Sequence, residues 1–332
     1  MKVAIIGSGS WGTALGQVLV DNGKDVIIYG NVQSQIDDIN LNHKNTFYFG
    51  EEISLPINLK ATTNLNEALK DREIIILSVP TSAMRSVLSS IKEVIGDEKK
   101  IFINTAKGFD TQKDQRITQL IEEVAAENIK SVVSLIGPSH AEEVIVRDLT
   151  CISAVCNDVE TSKLIAELFS NNYFRVYVND DVIGAEIGVA MKNAIALASG
   201  ILEGLKYGDN ARAALCTRGL NEIVRFGLAM GGQLKTYLGL TGLGDLIVTC
   251  YSFHSRNFNA GLAIGKANSA KEFLETNKST VEGIRTVEVI HRLATNLNIE
   301  LPIINSLYKI IYEGINPDMA ASELMTRPLK AE

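Results

Sequence analysis

The stretch Lys2-Val-Ala-Ile-Ile-Gly7-Ser-Gly9-Ser-Trp-Gly12 decides how this chain is read. A short apolar run enters a G-x-G-x-x-G pattern, and the helical run Thr13-Ala-Leu-Gly-Gln-Val-Leu-Val20 follows directly. Strand, glycine turn and helix thus come in the order a dinucleotide-binding loop requires. Each glycine has its own task. Gly7 permits the tight turn, Gly9 leaves a pyrophosphate room against the backbone, and Gly12 lets helix and strand pack closely. The free N–H groups and positive dipole end at the helix start then favour phosphate. The plain alternative is a glycine-rich strand-to-helix turn with no ligand.

Beyond the fingerprint, strand-like runs recur at Val3–Gly7, Asp25–Tyr29, Glu73–Val79, Lys100–Asn104, Ser131–Ile136, Thr150–Val155 and Phe174–Val178. Amphipathic stretches such as Thr81–Ile95, Asp114–Asn128 and Asp158–Phe169 separate them. This alternation predicts a mostly parallel, doubly wound sheet covered by helices on both faces, a Rossmann-type α/β domain. After Asn179-Asp-Asp181 the pattern changes to long helical runs of small residues, beginning with Val182–Leu205, broken at Gly231-Gly232 and Gly239–Gly244. The expected boundary lies near residue 180. Residues 1–180 form the dinucleotide-binding domain, and residues 181–332 form an all-α substrate and catalytic domain. The tail Arg327–Glu332 is expected to fray.

A chain of 332 residues with 46% hydrophobic and 21% charged residues is ordinary for a two-domain globular enzyme. Its formal charge of −7 argues against nucleic acid or an anionic membrane as partner, while leaving room for a local basic pocket. Cys151, Cys156, Cys216 and Cys250 show no metal-ligand spacing and read as reduced thiols, with no metal expected. No apolar stretch is expected to reach the ~20 residues of a membrane span. No signal-like segment is seen at the start, and the expected location is cytoplasmic.

Ligands in a doubly wound sheet sit at the carboxyl ends of the strands. The run Lys100–Asn104 delivers Thr105-Ala-Lys107-Gly108 there, and Lys107 could reach a phosphate or substrate oxygen or simply lie exposed. The run Ser131–Ile136 delivers Gly137-Pro-Ser139-His-Ala141-Glu142, in which Ser139 and Glu142 match a capping box and His140 reads as structural. Lys192 stands amid small apolar residues in a helix that should be buried. Burial of that kind is how a lysine becomes an acid or base at neutral pH; the plain alternatives are snorkelling or pairing with Glu186. Gly242-Leu-Gly244-Asp245 brings a carboxylate onto a close loop, and Ser255-Arg256-Asn257 offers donors suited to phosphate or a capped turn.

Together these segments resemble the bacterial-type NAD(P)-dependent glycerol-3-phosphate dehydrogenases, from residue 1 to about residue 325. The matching pieces are Gly7–Leu15, Ala106–Gly108, Gly137–Glu142, Ala190–Asn193, Tyr207–Ala214, Thr217–Gly219, Gly242–Thr249, His254–Asn257 and Val281–Gly283. The resemblance implies a cytosolic oxidoreductase that interconverts dihydroxyacetone phosphate and sn-glycerol 3-phosphate for phospholipid synthesis. It implies Lys192 as proton acceptor or donor at the C2 oxygen, with Lys107 and Asp245 completing the catalytic set. Gly137, Ser139, Ser255, Arg256 and Asn257 would line the phosphorylated substrate together with Lys107, Lys192 and Asp245. Gly7, Gly9, Ser10, Trp11, Gly12, Lys107, Ala141, Arg256 and Glu282 would touch NAD(H) or NADP(H). Neither metal, nucleic acid nor membrane insertion is implied, and a homodimer stands open as the assembly.

Where NAD enzymes place an acidic residue and NADP enzymes an arginine, this chain reads Tyr29-Gly30-Asn31-Val32, so a weakened NADPH preference is expected. The segment Tyr48-Phe-Gly50 lacks the proline common in the family. Related β-hydroxyacid dehydrogenases typically set an asparagine four residues after the helix lysine. Here that position is Ala196 and the asparagine is Asn193, which disfavours that reading. A non-catalytic NAD(H) sensor would need a partner-binding domain, for which the chain offers no segment.

Overall fold

The computed structural model describes residues 1–277 and 280–329; of the tail expected to fray, residues 330–332 lie outside the described residues. The strands are β1 Lys2–Ile6, β2 Asp25–Tyr29, β3 Lys60–Thr62, β4 Ile74–Leu77, β5 Lys100–Asn104, β6 Phe109–Asp110, β7 Gln115–Arg116, β8 Ile129–Ile136, β9 Thr150–Val155 and β10 Phe174–Asn179. The chain divides into two compact units. One holds Met1–Asp110 and Gln115–Val182, and the other holds Thr111–Asp114 and the chain from Ile183 onward.

In the first unit, eight strands form one sheet in the order β10-β9-β8-β5-β4-β1-β2-β3. Neighbours pair in parallel except β8 with β9, which are antiparallel. The turnover comes after a connection whose helix, Ala141–Ile145, is only 5 residues long. The strands are apolar because both faces are covered. Along β1, Val3 and Ile5 join one core with Leu15 and Val18 of helix Ser10–Asp21. Ala4 and Ile6 join another with Met84 and Leu88 of helix Thr81–Ile95. The order reverses between β1 and β4, which is the switch point where such sheets bind ligands.

Two pieces depart from the sequence reading. Lys60–Thr62 adds an edge strand that no apolar run announces. The expected helix from Asp114 starts only at Ile117, because Gln115–Arg116 pairs back on Phe109–Asp110 as a small antiparallel hairpin.

The second unit is helical. At its centre runs Val182–Gly204, and its length and mean hydropathy of 1.3 are those of a membrane span, contrary to the expectation that none exists. The span-like window is 94% buried inside the protein, which is how the core helix of a folded domain looks. Its glycines allow backbone-to-backbone packing. A Cβ on Gly200 would fall 2.0 Å from the carbonyl oxygen of Phe258, and one on Gly261 would fall 2.0 Å from that of Leu197. Helix Arg256–Ala267 is thereby locked along the central helix.

Candidate active site

The glycine turn behaves as its spacing requires. Gly7 has φ +122°, and a Cβ there would meet the carbonyl oxygen of Ser78, just past β4, at 2.2 Å. A Cβ on Gly12 would meet the Gly7 carbonyl oxygen at 2.1 Å. At Gly9 the nearest atom to such a Cβ is the Tyr48 hydroxyl, 3.9 Å away, so the backbone there is open. Gly9 is also the N-cap of helix Ser10–Asp21 and gives it no side-chain cap. The open backbone and a helix start without a capping side chain fit a pyrophosphate. Ser10 and Trp11 open that helix, and Trp11 packs partly against the core. Gln17 Nε2 donates to the Ile145 carbonyl at 2.9 Å, tying the short helix that begins at Ala141 to the fingerprint helix.

Lys107 and the Gly137 segment meet because β5 and β8 are adjacent and parallel, so both carboxyl ends open on the same edge. The Asn104 side chain shapes the turn, accepting from Ala106 N at 2.9 Å. Lys107 Nζ donates to the Gly137 carbonyl at 2.6 Å and to Ser139 Oγ at 3.3 Å. The expected Ser139–Glu142 capping box does not form. His140 takes the N-cap position without a side-chain cap, and the Ser139 hydroxyl donates to the Gly137 carbonyl at 3.1 Å. Ser139 is thus placed beside the lysine.

In the helical unit, Lys192 is 5% exposed, Asp245 1% and Thr249 3%. Lys192 Nζ lies 3.1 Å from Asp245 Oδ1 and donates to Thr249 Oγ1 at 2.7 Å. Asp245 and Thr249 stand one turn apart on helix Asp245–Tyr251, so both reach the same ammonium. The Thr249 hydroxyl donates onward to the Asp245 carbonyl at 2.6 Å. The apolar helix around Lys192 therefore meets a carboxylate from elsewhere in the fold. Sequence reasoning assigned no role to Thr249, although its spacing from Asp245 was available as a signal. The hydrogen bond with Cys216, followed by burial, pushes the Cys250 thiol well up, which keeps it neutral near the ion pair.

Asn193, also unassigned from sequence, accepts from Asn257 Nδ2 at 2.9 Å, and Asn257 Oδ1 accepts from Gly283 N at 2.8 Å. This chain of contacts gathers Lys192's neighbour, the start of helix Arg256–Ala267 and the start of helix Glu282–Asn296, which opens with Glu282. Ser255 is the N-cap of helix Arg256–Ala267, accepting from Phe258 N at 3.2 Å, so its oxygen lone pair serves the cap. Arg256 is exposed at that helix's first position. Among the described residues no group of three or more His, Cys, Asp or Glu side chains is placed to hold a metal.

A family profile described as "NAD-dependent glycerol-3-phosphate dehydrogenase N-terminus" matches residues 2–162, and its C-terminus counterpart matches residues 181–322. The chain is 47% identical over its whole length to a protein of Enterococcus faecalis named glycerol-3-phosphate dehydrogenase (NAD(P)+), covering 97% of that relative. It is 48% identical to the Bacillus cereus protein of the same name, again across 100% of this chain and 97% of the relative. A solved glycerol-3-phosphate dehydrogenase from Coxiella burnetii superposes with a TM-score of 0.91 at 35% identity, covering 98% of this chain and 99% of that one. A fingerprint open at Gly9, a lysine held among strand ends and a buried Lys192–Asp245 pair thus come with full-length likeness, and the chain belongs to the NAD-dependent glycerol-3-phosphate dehydrogenase family.

Proposed function

We propose that this protein interconverts dihydroxyacetone phosphate and sn-glycerol 3-phosphate, with Lys192 moving the proton at the C2 oxygen. The observation that carries the reading is the buried Lys192 ammonium, held by Asp245 at 3.1 Å and Thr249 at 2.7 Å. As the ammonium it can give a proton to a developing alkoxide, and as the neutral amine it can take one from an alcohol. NAD(H) or NADP(H), when bound, supplies the hydride exchanged at C2. Gly7, Gly9, Ser10, Trp11 and Gly12 would hold it, with Lys107, Ala141, Arg256 and Glu282 contributing.

Asp245 orients the lysine and balances its charge. Lys107 polarises the reacting oxygen. Gly137 and Ser139 line the substrate with Lys107, and Ser255 and Asn257 do so with Arg256. Arg256 binds the substrate phosphate. A cation at a helix's first turn is opposed by the dipole, so an arginine there gains by meeting an anion. Residues 1–180 supply most of the dinucleotide contacts, and residues 181–332 supply the proton-moving lysine and the phosphate-binding arginine.

We assign the reaction to the cytoplasm, feeding glycerophospholipid synthesis, with no membrane insertion or nucleic-acid partner and a homodimer as the assembly. Light scattering tests the assembly, a homodimer being expected at twice the 36.1 kDa chain mass. The activity is tested by loss of NADH or NADPH absorbance with dihydroxyacetone phosphate, against unphosphorylated dihydroxyacetone. Turnover restricted to the phosphorylated ketone supports the reading. No consumption of either nucleotide overturns it.

A further inference from the structure

We propose that the segment after β2 makes this protein select NADH over NADPH; the inference rests on the dehydrogenase reading above. The segment touches the fingerprint loop directly. Gly7 N donates to the Tyr29 carbonyl at 2.8 Å, and Ser8 Oγ donates to Gln35 Oε1 at 3.1 Å. A Cβ on Gly30 would fall 2.3 Å from Ser8 Oγ. Residues 30–35 therefore flank the loop that would hold the pyrophosphate. In a doubly wound nucleotide fold that flank meets the ribose of the adenosine.

What the flank offers is neutral or negative. Asn31, Val32, Gln33 and Ser34 are exposed. Gln33 is fixed, accepting from Thr63 Oγ1 at 3.1 Å and donating through Nε2 to Asp37 Oδ1 at 2.8 Å. From Gly30 to Asn42 the sequence holds Asp37 and Asp38 but neither lysine nor arginine. Lys44 is ion-paired with Glu51 at 2.9 Å. Lys60 registers with Ile27, short of the β2 end at Tyr29.

A 2′-hydroxyl is content with the neutral amides of Asn31 and Gln33. A 2′-phosphate brings about −1.5 to −2 charges toward Asp37. It also forgoes a charge-assisted hydrogen bond, a loss of roughly ten- to a hundredfold in affinity.

The test is a titration of the wild-type protein with each reduced nucleotide, without substrate, read by calorimetry or nucleotide fluorescence. NADH should bind at least about tenfold more tightly than NADPH. Val32→Arg, at a position 42% exposed, should shrink that ratio by about tenfold. NADPH binding as tightly as NADH, or a ratio that Val32→Arg leaves unmoved, overturns the proposal. Failure of both nucleotides to bind the wild-type protein overturns the dehydrogenase reading itself, and this inference with it.

Discussion

Lys192 Nζ lies 3.1 Å from Asp245 Oδ1, and both side chains are almost wholly buried. Removing one partner from such a pair leaves a charge without its counter-ion, at a cost of about 3–5 kcal/mol. Asp245→Asn keeps the shape and one acceptor, so the low end of that range is expected in thermal or urea unfolding. The kcat of the variant should fall by roughly a hundredfold or more, since the proton-moving lysine loses its orienting group. NADH affinity, which rests on the glycine turn, should change by less than about threefold, a difference well under 1.4 kcal/mol.

The fingerprint glycines should separate into two classes. Gly9 has room for a Cβ, whose nearest atom would be the Tyr48 hydroxyl at an unstrained 3.9 Å, so Gly9→Ala should fold with wild-type stability. Its NADH affinity should drop about tenfold or more, because the methyl group stands where the pyrophosphate meets the backbone. At Gly12 a Cβ would sit 2.1 Å from the Gly7 carbonyl oxygen. Gly12→Ala should therefore lose about 1–3 kcal/mol of stability as well as nucleotide binding. Thermal melts and NADH titrations on both variants check the contrast.

The helix that carries Lys192 depends on a neighbouring glycine. A Cβ on Gly261 would fall 2.0 Å from the Leu197 carbonyl oxygen, and a backbone atom has no rotamer by which to yield. Gly261→Ala should lower stability by about 3 kcal/mol and reduce kcat as the central helix shifts. Wild-type unfolding and turnover in this variant would contradict the packing described for the helical unit.

Glu222 predicts a pH dependence. Its carboxylate accepts from Ile303 N at 2.6 Å and Ile304 N at 3.2 Å, capping helix Pro302–Tyr312 from a distance. Burial pushes its pKa up from 4.5 to about 7, although those N–H groups favour the ionised form. The folded protein thus binds this proton more tightly than the unfolded chain. The contribution is fully present below pH 4.5, declines as pH rises, and is lost above about 7. Glu222→Gln should flatten that slope in urea unfolding measured between pH 4.5 and 7.

Much of the first unit was legible because β2, β5 and β9 are apolar runs buried on both faces, and helix Thr81–Ile95 has a clear apolar stripe. Lys60-Ala-Thr62 was not legible, since a three-residue edge strand carries no periodicity of its own. The antiparallel return of β9 was hidden too, because pairing direction depends on the path of the connection and leaves no mark in the strand. At the site, Lys192 stood out as a lone charge in an apolar helix. Thr249 did not, since a threonine one turn after an aspartate reads as an ordinary helical residue until the lysine is brought to it. The spacing of Ser139 to Glu142 matches a cap that does not form, because it carries no information about Lys107, which arrives from another strand.

The role of Lys192 stands or falls on the steady-state turnover of Lys192→Ala with dihydroxyacetone phosphate and NADH. Its kcat should fall by roughly a thousandfold, within the ~10²–10⁴ range of a positioned proton donor, while the variant still binds NADH. Turnover near that of the wild type would contradict it.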